Sequence, residues 1–128
     1  MTSAKNVSHK QRGYDAEQYV SQQLTDKGFS VVVQNYQKQF GEIDIIAQKK
    51  DLTIFVEVKY RKNPLFDMSA IITPTKKKKI IAVAKQYIAE NNLDTHTFRF
   101  DVAFVKNDKA LNNPMSLMYL ENAFQSDE

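Results

Sequence analysis

Hydrophobic positions change their period several times along the chain, and each change marks an element. Ala16, Val20 and Leu24 recur at helical spacing with Tyr19 beside them, and Gly28 follows where a left-handed residue commonly ends a helix. A first amphipathic helix is therefore predicted from about Arg12 to Lys27. The β-branched run Val31, Val32, Val33 predicts a strand over Phe29 to Tyr36. Gly41 opens a second apolar run, Ile43 to Ala47, and the polar cluster Gln48 to Asp51 turns the chain into a third, Leu52 to Tyr60. Thr73 or Thr75 can cap a second helix with Pro74 near its first turn. Its apolar stripe is Ile80, Ala84, Tyr87 and Ile88, and Asn91 and Asn92 end it. Phe98, Phe100, Val102 and Phe104 alternate with Arg99, Asp101 and Ala103 as a fourth strand, and Ser116 to Phe124 supplies a shorter fifth. The order αβββαββ predicts an α/β fold, a mixed central sheet flanked by helices. Residues 1–12 and 125–128 are expected to be loose ends of one domain spanning 1–128.

The third strand carries the chemistry. Alternation places Phe55, Glu57 and Lys59 on one face and Ile54, Val56 and Val58 on the other. Both faces begin apolar, as in a central strand, so Glu57 and Lys59 are charges in a place that requires them to be paired or coordinated. If the preceding turn pairs Lys49 with Leu52, Asp44 falls opposite Glu57 on the same face, about 5 Å away between Cβ atoms. Two carboxylates so close repel, and something positive must sit between them. Lys59 supplies one charge, and a hairpin with two carboxylates is also an oxygen site for Mg²⁺ or Mn²⁺. Such an ion would activate a water and stabilise charge on a phosphoryl oxygen, with Lys59 orienting the water or neutralising the transition state. Glu17 shares a helix face with Val20 and Leu24 and so points inward as a third carboxylate from a separate element.

Composition narrows the alternatives. The 128 residues contain no cysteine and only His9 and His96, so a thiolate or imidazole metal site is not expected, and any metal must sit on oxygens. The N-terminal stretch MTSAKNVSHKQRG has no apolar core of a secretory signal, and no run approaches the roughly 20 apolar residues of a membrane span. A cytoplasmic protein without a membrane partner is expected.

Net charge is only +3, but it is unevenly placed: between Lys59 and Lys79, seven basic residues face Asp67 alone, a net +6, leaving −3 for the remainder. Lys76, Lys77, Lys78 and Lys79 fall in the first turn of the second helix, where the helix dipole disfavours cations. A phosphate backbone would reward that arrangement. Lys76 and Lys77 lean toward the sheet, and Arg61 and Lys62 leave the third strand just past Lys59, so Arg61, Lys62, Lys76, Lys77 and Lys79 are the expected nucleic-acid contacts. Between them, Asn63 to Pro74 contains Phe66, Met68 and Ile71 as a flap or partner surface.

The segments GYDAEQYVSQQLTDKGF, GEIDIIA, FVEVKYR, RFDVAFV and ENAF closely resemble the YraN-like family of small bacterial proteins, over roughly Gly13 to Phe124. That family looks like a branch of the PD-(D/E)XK, or restriction-endonuclease-like, nuclease superfamily and is similar to archaeal Holliday junction resolvases. The resemblance implies a restriction-endonuclease-like sheet, with Asp44 and Glu57 as metal-binding acids, Lys59 as the motif lysine, Glu17 as the helix acid and the Val58 carbonyl facing the metal. Ile43 stands where the resolvases usually carry proline, and Gln37 where YraN-like proteins usually carry arginine.

The expectation is a Mg²⁺- or Mn²⁺-dependent endonuclease acting on DNA, with branched DNA such as Holliday junctions as a candidate substrate and a homodimer as a compatible assembly. Its rival is a catalytically inactive nucleic-acid-binding or interaction module retaining the nuclease fold. Individual residues also have plainer readings. Asp44, Glu57 and Lys59 form an ion-pair cluster in the plainest one, Glu42 and Asp101 are further candidates for the site with Asp101 read first as a structural pair with Arg99, and His96 is incidental.

Overall fold

The expected order of elements is the order observed. A computed structural model describes residues 9–61, 72–107 and 115–126. Its elements are α1 (His9–Asp26), β1 (Ser30–Lys38), β2 (Gly41–Lys49), β3 (Leu52–Arg61), α2 (Pro74–Glu90), β4 (Thr97–Asn107) and β5 (Met115–Phe124). Helix α1 begins three residues before Arg12, so residues 9–12, expected to be loose, belong to the helix. Lys10, Gln11 and Arg12 are good helix formers, and Gln11 Nε2 donates to Asp15 Oδ1 one turn on at 2.9 Å. The helix closes as expected at Gly28, whose φ of 95° suits glycine. Phe29 N–H donates to Leu24 O and Gly28 N–H to Thr25 O, the paired bonds of a Schellman motif. Of the two capping candidates for α2, Thr73 serves: its side chain accepts the Lys76 N–H, and Pro74 takes the first helical position.

The strands form one sheet in the order β1-β2-β3-β4-β5. All neighbours are antiparallel except β3 and β4, which run parallel and are joined through α2, so the sheet is mixed. Strand β3 lies at its centre. Ile54 and Val56 face α1 and join Ala16, Val20, Leu24, Ala103 and Val105, while Phe55 faces α2 and joins Ile80, Val83, Ala84 and Tyr87. Complete burial of each such side chain is worth about 1.5–3 kcal/mol, which is why β3 reads as a nearly unbroken apolar run up to Glu57.

An aromatic row crosses the α2 side of the sheet. Tyr36 meets Tyr87 edge-on at 5.1 Å between centroids, Tyr87 meets Phe55, and Phe55, Phe100 and Phe124 stack in sequence. On the opposite face, Asp101 is fully buried and saturated with donors. Arg99 reaches both of its oxygens at 2.9 Å, Tyr119 Oη donates at 2.5 Å, and the Asn122 N–H donates at 2.8 Å. The plainer expectation for Asp101 therefore holds: it is a structural knot, placed where the β4–β5 register slips between Phe100 and Val102. Among the described residues no helix is long and apolar enough to cross a membrane.

Asp101→Ala should lower stability by about 1–3 kcal/mol, because it takes from the half-buried Arg99 and Tyr119 the acceptor they share. Urea denaturation followed by circular dichroism measures this, and a loss below 1 kcal/mol would remove Asp101 from its structural role.

Candidate functional site

Turn length decides the geometry of the site. Lys50 and Asp51 form a two-residue connection, with Lys50 at φ 55°, so Lys49 faces Leu52 and the register runs on to Ile45 opposite Val56. The next position sets Asp44 against Glu57, as alternation predicted. There the β2–β3 ladder stops, while β3 continues beside β4 with Glu57 opposite Val102. The two acids thus stand in the fork between parting strands. Asp44 Oδ2 accepts the Val58 N–H at 2.7 Å, so the side chain satisfies a backbone donor past the end of the ladder.

Both carboxyls are buried, Asp44 at 9% and Glu57 at 5% exposure. Burial, followed by the Glu57 charge and the Asp44–Glu57 hydrogen bond, pushes the Asp44 carboxyl up to about 8. A single oxygen, Glu57 Oε2, carries the compensating cations: Lys76 Nζ lies 2.7 Å away and Lys59 Nζ 3.3 Å away. Burial and the neighbouring Lys76 hold the Lys59 ammonium below its ordinary range, partly offset by Glu57. For Lys76 burial is the largest influence and works against the charge, but the contacts with Glu57 and Lys59 and the charge of Asp44 together raise the pKa. Lys76 is the partner that strand alternation could not name. Its only trace in the sequence is its place one helical turn before Ile80 on the buried face of α2.

Glu17 reaches the same place from α1. Its pKa is raised by burial and by the charges of Glu42 and Glu57, and lowered by a hydrogen bond with the Asn35 side chain. Asn35 was not expected in the site. It sits within β1 at a φ of 55°, a conformation Asn tolerates better than β-branched residues, and an asparagine just beyond the valine run was its one signal. An open cleft of about 590 Å³ gathers Glu17, Asp44, Glu57, Val58, Lys59, Lys76 and Lys79, together with Glu42 and Gln37.

The remaining basic residues separate. Lys77 turns away from the cleft and lies over the Phe124 ring, 5.8 Å from its centroid, and Lys78 is exposed. Arg61 ends β3, but its side chain, Lys62 and the segment containing Phe66, Met68 and Ile71 lie outside the described residues. His96 is remote from the cleft, its Nδ1 3.3 Å from the buried Thr53 hydroxyl.

Donor chemistry bears on whether a cation fits. Among the described residues, no three acidic or imidazole side chains converge as a ready-made cage. Two buried carboxylates beside a cleft-lining backbone segment, with lysine ammoniums already in the cationic position, nevertheless match the hard-oxygen, partly hydrated coordination of Mg²⁺ or Mn²⁺.

The raised Asp44 pKa has a definite sign in the metal-free protein. Between its ordinary value of 3.8 and about 8, the folded state holds a proton that the unfolded state has released, so this group costs stability increasingly as pH rises through that window. Asp44→Asn, which keeps an acceptor for Val58, should therefore stabilise the metal-free protein at pH 8 by about 1–3 kcal/mol and little at pH 4. Thermal melts across that range check the trend; an equal effect at both ends would contradict it.

Comparison with known proteins places the chain. A family model described as uncharacterised protein family UPF0102 matches residues 16–105, which include Glu17, Asp44, Glu57, Lys59 and Lys76. A UPF0102 protein of Clostridioides difficile (strain 630) is 42% identical over 97 residues, covering 75% of this chain and 85% of its own. One from Nitrosococcus oceani is 32% identical over 123 residues, 94% of this chain and 97% of that protein. A Helicobacter pylori (strain P12) relative is 40% identical over 104 residues, covering 81% and 89%. On this similarity the chain belongs to the uncharacterised protein family UPF0102.

Proposed function

We propose that the chain is a divalent-cation-dependent nuclease that hydrolyses phosphodiester bonds in DNA. The observation that carries this reading is the buried pair Asp44 and Glu57 at the open end of the β2–β3 ladder, faced by two lysines in a cleft. The restriction-endonuclease-like resemblance of GEIDIIA and FVEVK supports it, because acid, acid and lysine fall where that resemblance puts them. Branched DNA is the candidate substrate, by similarity to the resolvases.

Asp44 and Glu57, with the Val58 carbonyl, would hold Mg²⁺ or Mn²⁺. When bound, that ion supplies Lewis acidity to the attacking water and to the phosphoryl oxygen. Lys59 is held beside Glu57 at 14% side-chain exposure, so it offers a preorganised positive charge to the pentacovalent transition state. Val58 N–H orients the Asp44 carboxyl, and Asn35 orients Glu17 over the cleft. Lys79, exposed on the cleft wall at the start of α2, is placed to meet the DNA backbone, and exposed Lys78 adds to the positive field there.

One observation favours a second reading. Two lysines already neutralise Glu57, as in a module that binds nucleic acid but does not cut it. Cleavage of duplex, single-stranded and four-way-junction DNA in Mg²⁺ and Mn²⁺ separates the two. The nuclease reading expects cutting of at least one substrate and a loss of at least about a hundredfold in Glu57→Gln; salt-sensitive binding with no turnover in either ion would establish the module. Under both readings, the double change Lys78→Ala with Lys79→Ala should weaken DNA binding and reduce the slope of log affinity against log salt by about 1 for each phosphate contact removed. Fluorescence anisotropy over a salt series measures that slope, and an unchanged value would take these lysines out of the interface.

A further inference from the structure

Glu57 Oε2 receives two ammonium groups, and the two differ in their freedom to leave. Lys59 sits two residues from Glu57 on the same strand, with its side chain 14% exposed, so β3 holds it in place. Lys76 comes from the first turn of α2, makes the shorter contact at 2.7 Å, and has 41% of its side chain exposed to the cleft. It is also on the unfavourable end of a helix, where the free N–H groups repel a cation and only a nearby anion makes the position favourable. In the present structure that anion is Glu57. A divalent ion held by the Asp44 and Glu57 carboxyls would compete with Lys76 for the negative charge of Glu57, and the released ammonium would remain at the helix start beside Lys79, on the wall of the same cleft.

We propose that Lys76 has two alternating partners: Glu57 Oε2 while the acid pair holds no metal, and a phosphate oxygen of bound nucleic acid once a divalent ion takes its place. The inference rests on the metal-dependent reading of the site and adds its regulation. Lys76 competes with the metal in the absence of DNA, and a phosphodiester that captures Lys76 relieves the competition. Cation loading and nucleic-acid binding thus strengthen one another, and by linkage each does so by the same factor.

The test titrates Mn²⁺ calorimetrically into the whole protein as wild type, Lys76→Met, Lys76→Arg and Lys77→Met, with and without a duplex carrying uncleavable methylphosphonate linkages at its centre and native phosphates in its flanks. Without DNA, Lys76→Met should bind Mn²⁺ on the order of tenfold more tightly than wild type, the scale of a charge-assisted contact with a carboxylate. Lys76→Arg keeps a competing cation and should stay close to wild type, as should Lys77→Met, whose lysine lies over Phe124 instead. The duplex should tighten Mn²⁺ binding several-fold in wild type and little in Lys76→Met. Equal Mn²⁺ affinity in wild type and Lys76→Met, or equal tightening by DNA in both, would overturn the exchange while leaving a cutting nuclease intact. Failure of every variant to bind Mn²⁺ with or without DNA would bring down the exchange and the metal-dependent reading together.

Discussion

Two carboxyl groups buried against each other, in the fork where β2 and β3 part, set the terms for everything around them. For Asp44, burial and the neighbouring Glu57 charge both oppose ionisation. The protein meets this with two ammoniums on one Glu57 oxygen, a backbone N–H on Asp44, and a proton retained by Asp44 over most of the physiological range. One ammonium comes from β3 and the other from α2, so the electrostatics of the fork tie the helix start to the sheet. Thr73 caps that start and fixes where Lys76 stands.

The chain buries acid a second time, at Asp101, and solves the problem in the opposite way. Donors from Arg99, Tyr119 and Asn122 take up both oxygens, and the side chain is fully buried. That arrangement ties β4 to β5 where their register slips. Asp44 and Glu57 face a cleft, and one of their partners is a half-exposed lysine rather than a rigid guanidinium. Two buried carboxylate sites in one sheet thus divide between structure and candidate chemistry according to how completely each is satisfied.

The match to the UPF0102 family model spans the acid and lysine cluster, whereas Tyr119 and Asn122 of the Asp101 knot lie beyond it. The names of the relatives assign no activity, so the chemistry of the acid and lysine cluster carries the functional reading. The aromatic row runs from Tyr36 to Phe124. Through Tyr87 it packs α2 onto β1 and β3, and Phe100 and Phe124 carry the row on across β4 and β5.

Much of the fold and half of the site could be read directly from the amino-acid order. Hydrophobic period distinguished helices from strands, Gly28 and Thr73 marked helix ends, and an even turn between Lys49 and Leu52 put Asp44 opposite Glu57. These are local consequences of backbone geometry: a strand alternates sides every residue, and a two-residue turn transmits that alternation to the next strand. Glu17 was legible for the same reason, as a charge on an apolar helix face. The pairing of Lys76 with Glu57, the turn of Lys77 toward Phe124, the bond from Asn35 to Glu17 and the full set of donors on Asp101 were not. Each joins elements far apart in the chain, and their meeting depends on how the helices dock and where strand register slips, which are set by packing of the whole core and leave no periodic trace in the order of residues.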